Sequence, residues 1–304
     1  MDKLLKMFVV VVATVMIATT GCKKSDDNAA NDNGGGGNTN VVPTGAVDGL
    51  FSVSETQQVY FAQGNLQYQA STNTWRFAEN QWDYIGADNT NISEYYDSWI
   101  DLFGWGTSGY NHGAVCYQPW SISTESGNYF AYGSSTYNLN DSTGMADWGY
   151  NAVINGGNQE CQWRTLTHDE MMYVFDTRST ESGIRFAKGN VNGINGMIVL
   201  PDDWKSDVYE LNGVNDGDAN FNGNVIELSD WTETLEANGA VFLPAAGYRS
   251  SIFVTVSGNH GYYWTASYYD ESQASLLYFN NTHIDTDGWS SRYYGWSVRL
   301  VRDK

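Results

Sequence analysis

Short apolar runs, most of four to eight residues, recur along the chain between polar, turn-forming clusters. "LFSVS" and "QVYFA" lie either side of a polar stretch, and Gly64-Asn65 and "LQYQ" follow. This order predicts a β-hairpin region and a third strand. "TWRFAENQWDYIG" repeats the style. Toward the C-terminus, "AVFLPAAGYR", "SIFVTVS", "YYWTASYY", "SLLYFNN" and "WSVRLVR" read as further strands. Helical spacing is found twice. Over 166–178, Thr167 and Glu170 form an S/T-x-x-E capping box ahead of an apolar face of Met171, Met172, Val174 and Phe175. Over 228–240, Ser229 or Asp230 is the expected cap. Trp231 and Leu235 face inward at i and i+4, and Asn238-Gly239 ends the helix. Two helices amid many short strands is an α+β pattern.

The last strands mix two kinds of position. Trp264, Leu277, Phe279, Trp296, Val298 and Leu300 fit a buried core. "YYDESQ", "NNTHIDTDGWSS" and "RYY" are polar and aromatic, and are expected on loops or an exposed face. Residues 262–296 hold seven Tyr, three Trp and five Ser, with no Lys. Tyr and Trp give large contact area at low entropic cost, and Ser and Asn give adaptable hydrogen bonds. The expected contact surface comprises Tyr268, Tyr269, Asp270, Ser272, Gln273, Asn280, Asn281, His283, Asp285, Asp287, Trp289, Ser290, Ser291, Tyr293 and Tyr294.

The N-terminus changes the compartment. A basic start, an apolar run over 7–19 that is too short to span a bilayer, and "TTGC" describe a secretory signal over 1–21. The cysteine after small residues resembles a bacterial lipobox, with Thr19 where Leu is usual. That resemblance implies cleavage before Cys22 and acylation of its thiol and new amine. Residues 22–46 then form a lipidated flexible tether, rich in Asn, Asp and Gly. "CKKSDD" also resembles the export signal of Bacteroidetes surface lipoproteins. The expected location is therefore the outer membrane, exposed at the cell surface and held by lipid alone. With Cys22 so used, Cys116 and Cys161 either pair or stay as two buried thiols.

Charge narrows the partners. The net charge of −20 repels polyanions, so nucleic acid is excluded. No CxxC or Cys/His cluster suggests zinc, and no cofactor motif occurs. The stretch 216–227 places oxygens as an EF-hand loop does. Phe221 stands where the sharp turn requires Gly, so it reads as an acidic surface loop and no metal site is expected.

"WRTLTHDEMMYVF", "AVFLPAAGYR", "GYYWTAS" and "YYGWSVRLVRD" come in an order similar to the Fibrobacter succinogenes major paralogous domain family. The resemblance runs over 47–304 as one domain. It implies a C-type-lectin-like fold, related to the formylglycine-generating enzymes: irregular antiparallel sheets, two flanking helices, long loops, and N- and C-terminal strands paired. The enzymes of that branch work through paired cysteines near their C-terminus. Here Leu300 occupies that strand and no Cys follows Cys161, so the chain is not expected to be an enzyme. The scattered His112, His168, His260 and His283 supply no catalytic motif. The calcium lectins' carboxylate-amide-proline loop is also missing, since "QPW" at 118–120 lacks the acid. The expected function is ligand binding or display outside the cell, toward a protein or glycan. The segment also resembles variable proteins of diversity-generating retroelements; a carbohydrate-binding lectin or a structural surface protein is the further alternative.

Overall fold

The computed structural model describes Cys22, residues 41–111 and residues 117–304. The expected signal peptide, most of the tether, His112 and Cys116 lie outside the described residues. Strands β1 (Phe51–Ser52) and β2 (Gln58–Phe61) follow the first ordered contacts. The Gln63 N–H donates to Gly45 O and Ala46 bridges Ala62, so the body begins at least two residues before the expected 47. β3 (Leu66–Gln69) pairs with β4 (Thr74–Phe77) and β5 (Trp99–Ile100). A four-stranded sheet is ordered β8 (Val225–Ile226), β6 (Phe186–Val191), β7 (Ile194–Val199), β9 (Val241–Pro244). β10 (Tyr248–Ser250) and β11 (Phe253–Thr255) form a hairpin. A further three-stranded sheet has the order β12 (Gly261–Tyr268), β13 (Gln273–Asn280), β14 (His283–Ser291). The last strand, β15 (Val301–Asp303), returns to β2, with Val301 opposite Phe61. The class is mixed α+β, built from small sheets that are mostly antiparallel.

The first helix starts as its sequence dictates. Thr167 accepts from Glu170 N–H and the Glu170 carboxylate accepts from Thr167 N–H, so both halves of the capping box are present. This helix, α1 (His168–Met172), widens into a π turn over Tyr173–Thr177. The second, α2 (Leu228–Asp230), is capped by Glu227 rather than by Ser229 or Asp230, and without a side-chain hydrogen bond. It runs on to Asn238, and Gly239 ends it at φ +81°.

The β12–β13–β14 sheet separates two cores. One side carries Trp264, Ala266, Ala274 and Leu276 into a cluster with Trp75, Phe103, Trp105, Trp148 and Trp296. The other side carries Tyr263, Leu277 and Phe279 against Met171, Val174, Phe175 and β1–β2. Burial on both faces explains why β12 and β13 read as apolar runs without clean alternation. Gly261 is required there: a Cβ would stand 2.1 Å from the Phe279 ring. A third cluster joins Trp204, Trp231, Leu235 and Phe242.

Residues 295–300 add an irregular edge beside β12. Ser297 bridges Tyr263, Trp296 bridges Phe103, Leu66 N–H donates to Val298 O, and Ala62 N–H to Leu300 O. The six positions expected in the core are all buried. Arg292, expected on an exposed face, is also buried. It lies between Trp105 and Phe130 and donates to the carbonyls of Ser135, Asp270 and Gln273.

Cys161 is bonded to Cys22, with Cα atoms 5.4 Å apart, and so does not pair with Cys116. The sequence offered no means of choosing among the pairings of three cysteines. The bond also occupies the sulfur that a thioether-linked lipid would need, so disulfide and thiol acylation are alternatives at Cys22.

Asp101 is a buried carboxylate that ties two loops together. Ile85 N–H and the Asn89 amide donate to it, each at 2.7 Å. Burial raises its pKa from 3.8 to about 6 despite these donors. Between those values the folded protein holds more protons than the unfolded chain. Stability therefore falls as pH rises through roughly 4 to 6, by on the order of 3 kcal/mol. In melting curves, wild type minus Asp101→Asn should be more favourable at pH 4.5 than at 7.5. The opposite slope would mean the carboxylate is stabilised in its charged form.

Candidate functional site

The fifteen expected contact positions fall on β12–β14, their turns and the segment that follows. None is buried. The surrounding strands are held from both cores, so half-exposed side chains stand on a fixed frame.

They do not form one patch. Tyr268, Tyr269, Asp270, Ser272 and Gln273 lie at the β12–β13 turn. Register brings Trp289, Ser290 and Ser291 to the same end, with Gln273 opposite Ser291 and Ser275 opposite Trp289. Tyr269 and Trp289 stack there at 5.1 Å and 13°, each about half exposed (48% and 49%). Asp270 is a turn-former: its Oδ1 accepts from Ser272 and Gln273 N–H. Asn280, Asn281, His283 and Asp285 lie at the opposite end of the sheet, where Asn280 pairs with His283. Eight residues of strand put about 23 Å between the two ends. Asp287 faces neither group. Its carboxylate pairs with His168 Nε2 at 2.9 Å and its backbone N–H donates to Asp285 Oδ1, while Thr286 Oγ1 donates to Asp176. These contacts fasten β14 to α1 and the turn after it, and they occupy the helix-start histidine.

Tyr293 and Tyr294 bring in residues that the sequence reading assigned only to strands. Tyr294 is half-buried, 6.0 Å from Trp296 and 5.4 Å from Tyr248. Tyr248 meets Tyr262 at 5.5 Å, Tyr262 meets Tyr278 at 4.9 Å, and His260 stands 5.6 Å from Tyr278. Burial raises the Tyr262 hydroxyl pKa and lowers that of His260, so both are neutral at pH 7. The Tyr294 hydroxyl is pushed up to about 12, chiefly by its hydrogen bond with Tyr293. The missed signal was periodic: Tyr262, Trp264, Leu276 and Tyr278 alternate onto one sheet face, and the rings nearest the strand ends are the ones left accessible.

Residues 202–301 match a protein-family profile described as a domain of unknown function (DUF8237). No curated protein and no solved structure matches the chain. The matched third of the chain contains the whole β12–β14 sheet and both groups of rings. It is not closed on itself: β9 pairs with β7, and β15 with β2, both outside it.

The acidic loop over 216–227 is organised by the protein's own cation. Lys188 Nζ donates to Gly217 O and His283 O, Phe221 is buried, and Asp216 Oδ1 accepts from Asp218 N–H. Among the described residues no three His, Cys, Asp or Glu side chains converge as metal ligands. Nor is any helix among them long and apolar enough to cross a membrane.

Proposed function

We propose that the protein is a non-catalytic cell-surface lipoprotein whose C-terminal, C-type-lectin-like segment binds a ligand outside the cell. The observation that carries this reading is the partition of residues 262–300. Framework side chains are buried in two cores, while the fifteen Tyr, Trp, Asn, Asp, Ser, Gln and His positions between them all keep solvent access. Pairing of β2 with β15 supports the C-type-lectin-like assignment, which expects joined termini. Two described histidines are engaged in structure: His168 with Asp287, and His260 with tyrosine hydroxyls. In a binding assay, labelled mature protein should adhere to intact cells, and the Tyr269→Ala/Trp289→Ala variant should not.

The lipid anchor has its own test. In membrane fractions, the N-terminal peptide is expected to carry acyl groups on Cys22, with Cys161 open to alkylation. Recovery of a Cys22–Cys161 cross-linked peptide instead would exclude the thioether anchor.

The same partition favours a second reading, a variable protein of a diversity-generating retroelement. An adjacent reverse transcriptase gene and an adenine-rich near-copy of the 3′ end would establish it; absence of both would remove it.

A further inference from the structure

Four cation–ring contacts occur among the described residues, and all are made within the chain. Arg76 lies over Trp99, Arg178 over Phe51, and Arg292 over both Trp105 and Phe130. The Tyr269–Trp289 pair has no such partner. Its rings stack at 5.1 Å, so each covers one face of the other. About half of each residue nevertheless stays exposed, and that exposure lies on the outer faces and edges. Among the described residues, neither ring has a further ring or a cation against it.

The charge around the pair is one-sided. Residues 262–296 hold Asp270, Glu271, Asp285 and Asp287 against a single arginine and no lysine. That arginine, Arg292, is buried and offsets Asp270 in part. Asp270 and Glu271 follow Tyr269 directly, in an exposed turn. Asp270 Oδ1 is taken by Ser272 and Gln273. Its Oδ2 and both Glu271 oxygens have no hydrogen-bond partner among the described residues. Asp287 stands two residues before Trp289, about 7 Å back along β14. His168 holds its Oδ1 and holds Asp169 through the other ring nitrogen, one imidazole against two carboxylates.

We propose that this ring pair docks an arginine-bearing segment of a protein partner, a guanidinium laid on an outer ring face with its N–H edge turned to Glu271 and Asp270. The inference rests on the reading of the C-terminal segment as a contact surface, and it names the partner at one end of it. A guanidinium is planar and weakly hydrated. It stacks flat on an aromatic face and keeps its donors in plane for carboxylates. The chain makes this arrangement once for itself: Arg76 lies 3.8 Å from the Trp99 ring centroid, and its Nη1 is 3.6 Å from Glu79 Oε1. An ammonium is compact and strongly hydrated, and it gains less from a flat ring. The net charge of −20 repels an acidic partner. A purely apolar partner would cover Glu271 and Asp270 without pairing them, which costs free energy.

Isothermal titration calorimetry tests this on full-length mature protein with three blocked hexapeptides. One alternates glycine and arginine, and the others carry lysine or citrulline in place of arginine. Citrulline keeps the planar shape and removes the charge. The arginine peptide should bind tightest, the lysine peptide several-fold more weakly, and the citrulline peptide not at all. Raising NaCl from about 50 to about 500 mM should weaken the arginine peptide. Tyr269→Ala/Trp289→Ala should weaken it about tenfold. Asp270→Asn/Glu271→Gln, which keeps the oxygen the turn amides need, should weaken it about threefold. Tyr95→Ala removes an exposed ring ahead of β5 and should change nothing. Three results each overturn the proposal: citrulline or lysine binding as tightly as arginine, no arginine binding, or equal arginine binding by wild type and the ring variant. The last would show diffuse attraction to the net charge. Cell adhesion lost in the ring variant, with no arginine peptide bound, overturns the partner alone and leaves the binding-module reading standing. A ring variant that adheres to cells as wild type does would end both.

Discussion

Replacing Arg299 by Ala should destabilise the protein by roughly 3–5 kcal/mol, the scale for stripping a partner from buried charged contacts. At this chain length that corresponds to a melting point lower by about 10 °C. Arg299 is buried within the second half of "WSVRLVR". Its guanidinium donates to Ala62 O at 3.0 Å, Phe242 O at 2.6 Å, Gln81 O at 3.4 Å and Asn65 Oδ1 at 3.1 Å. Those acceptors belong to the turn after β2, the loop after β4, and β9. One side chain thus satisfies the backbone of three regions distant in sequence. No carboxylate is hydrogen-bonded to it; burial lowers the arginine's pKa to about 10, and the charge of Glu236 offsets this only in part. Truncation leaves the acceptors without donors in a space too dry to rehydrate cheaply. Arg299→Lys keeps the charge but not the fork, so it should recover only part of the loss. A melting point within a degree of wild type for Arg299→Ala would show that water enters and replaces the guanidinium.

Trp296→Ala is expected to cost about as much, roughly 3–5 kcal/mol, for a different reason. Its ring is 2% exposed and lies 3.9 Å from Trp264, with Tyr262 and Tyr294 on its other contacts. Removing it opens a cavity in the first core and takes away the ring on which Tyr262 stacks. Seven residues away, Trp289 is 49% exposed and touches chiefly Tyr269. Trp289→Ala should therefore change stability by no more than about 0.5 kcal/mol, the usual range for surface sites. Thermal melts of the two variants side by side check the pair. Tyr294 belongs with Trp296, because it packs on Trp296 and Tyr248. Its truncation should lower the melting point as well as any binding.

Different parts of this architecture left different traces in the sequence. The Thr167–Glu170 capping box is local chemistry, and it was readable in four residues. β12 and β13 were readable because burial on both faces demands apolar side chains along the whole strand. β14 carries a sequence that fits a loop or an exposed face, because it is an edge strand. Asp285 and Asp287 on it guard against further pairing, and only Ile284, Gly288 and Trp289 hint at a sheet. The β6–β7 hairpin carried an Asn192-Gly193 turn signal, both residues at positive φ, that went unused. The buried arginines were not readable at all. What makes Arg292 and Arg299 internal is a set of carbonyls from distant loops, and no local pattern encodes that. For the contact surface, residue types marked the exposed positions. Their separation into two ends and a latch on α1 depends on strand register, which sequence composition does not contain.

The central claim is that the C-terminal segment is divided between a structural core and a binding surface. Its most direct test is to measure melting and surface adhesion together for wild type, Trp289→Ala and Trp296→Ala. Trp289→Ala should melt with wild type and lose adhesion to the cell surface that wild type holds, while Trp296→Ala should melt far lower. A Trp289→Ala protein that adheres as wild type does, or one that melts as low as Trp296→Ala, would contradict the claim.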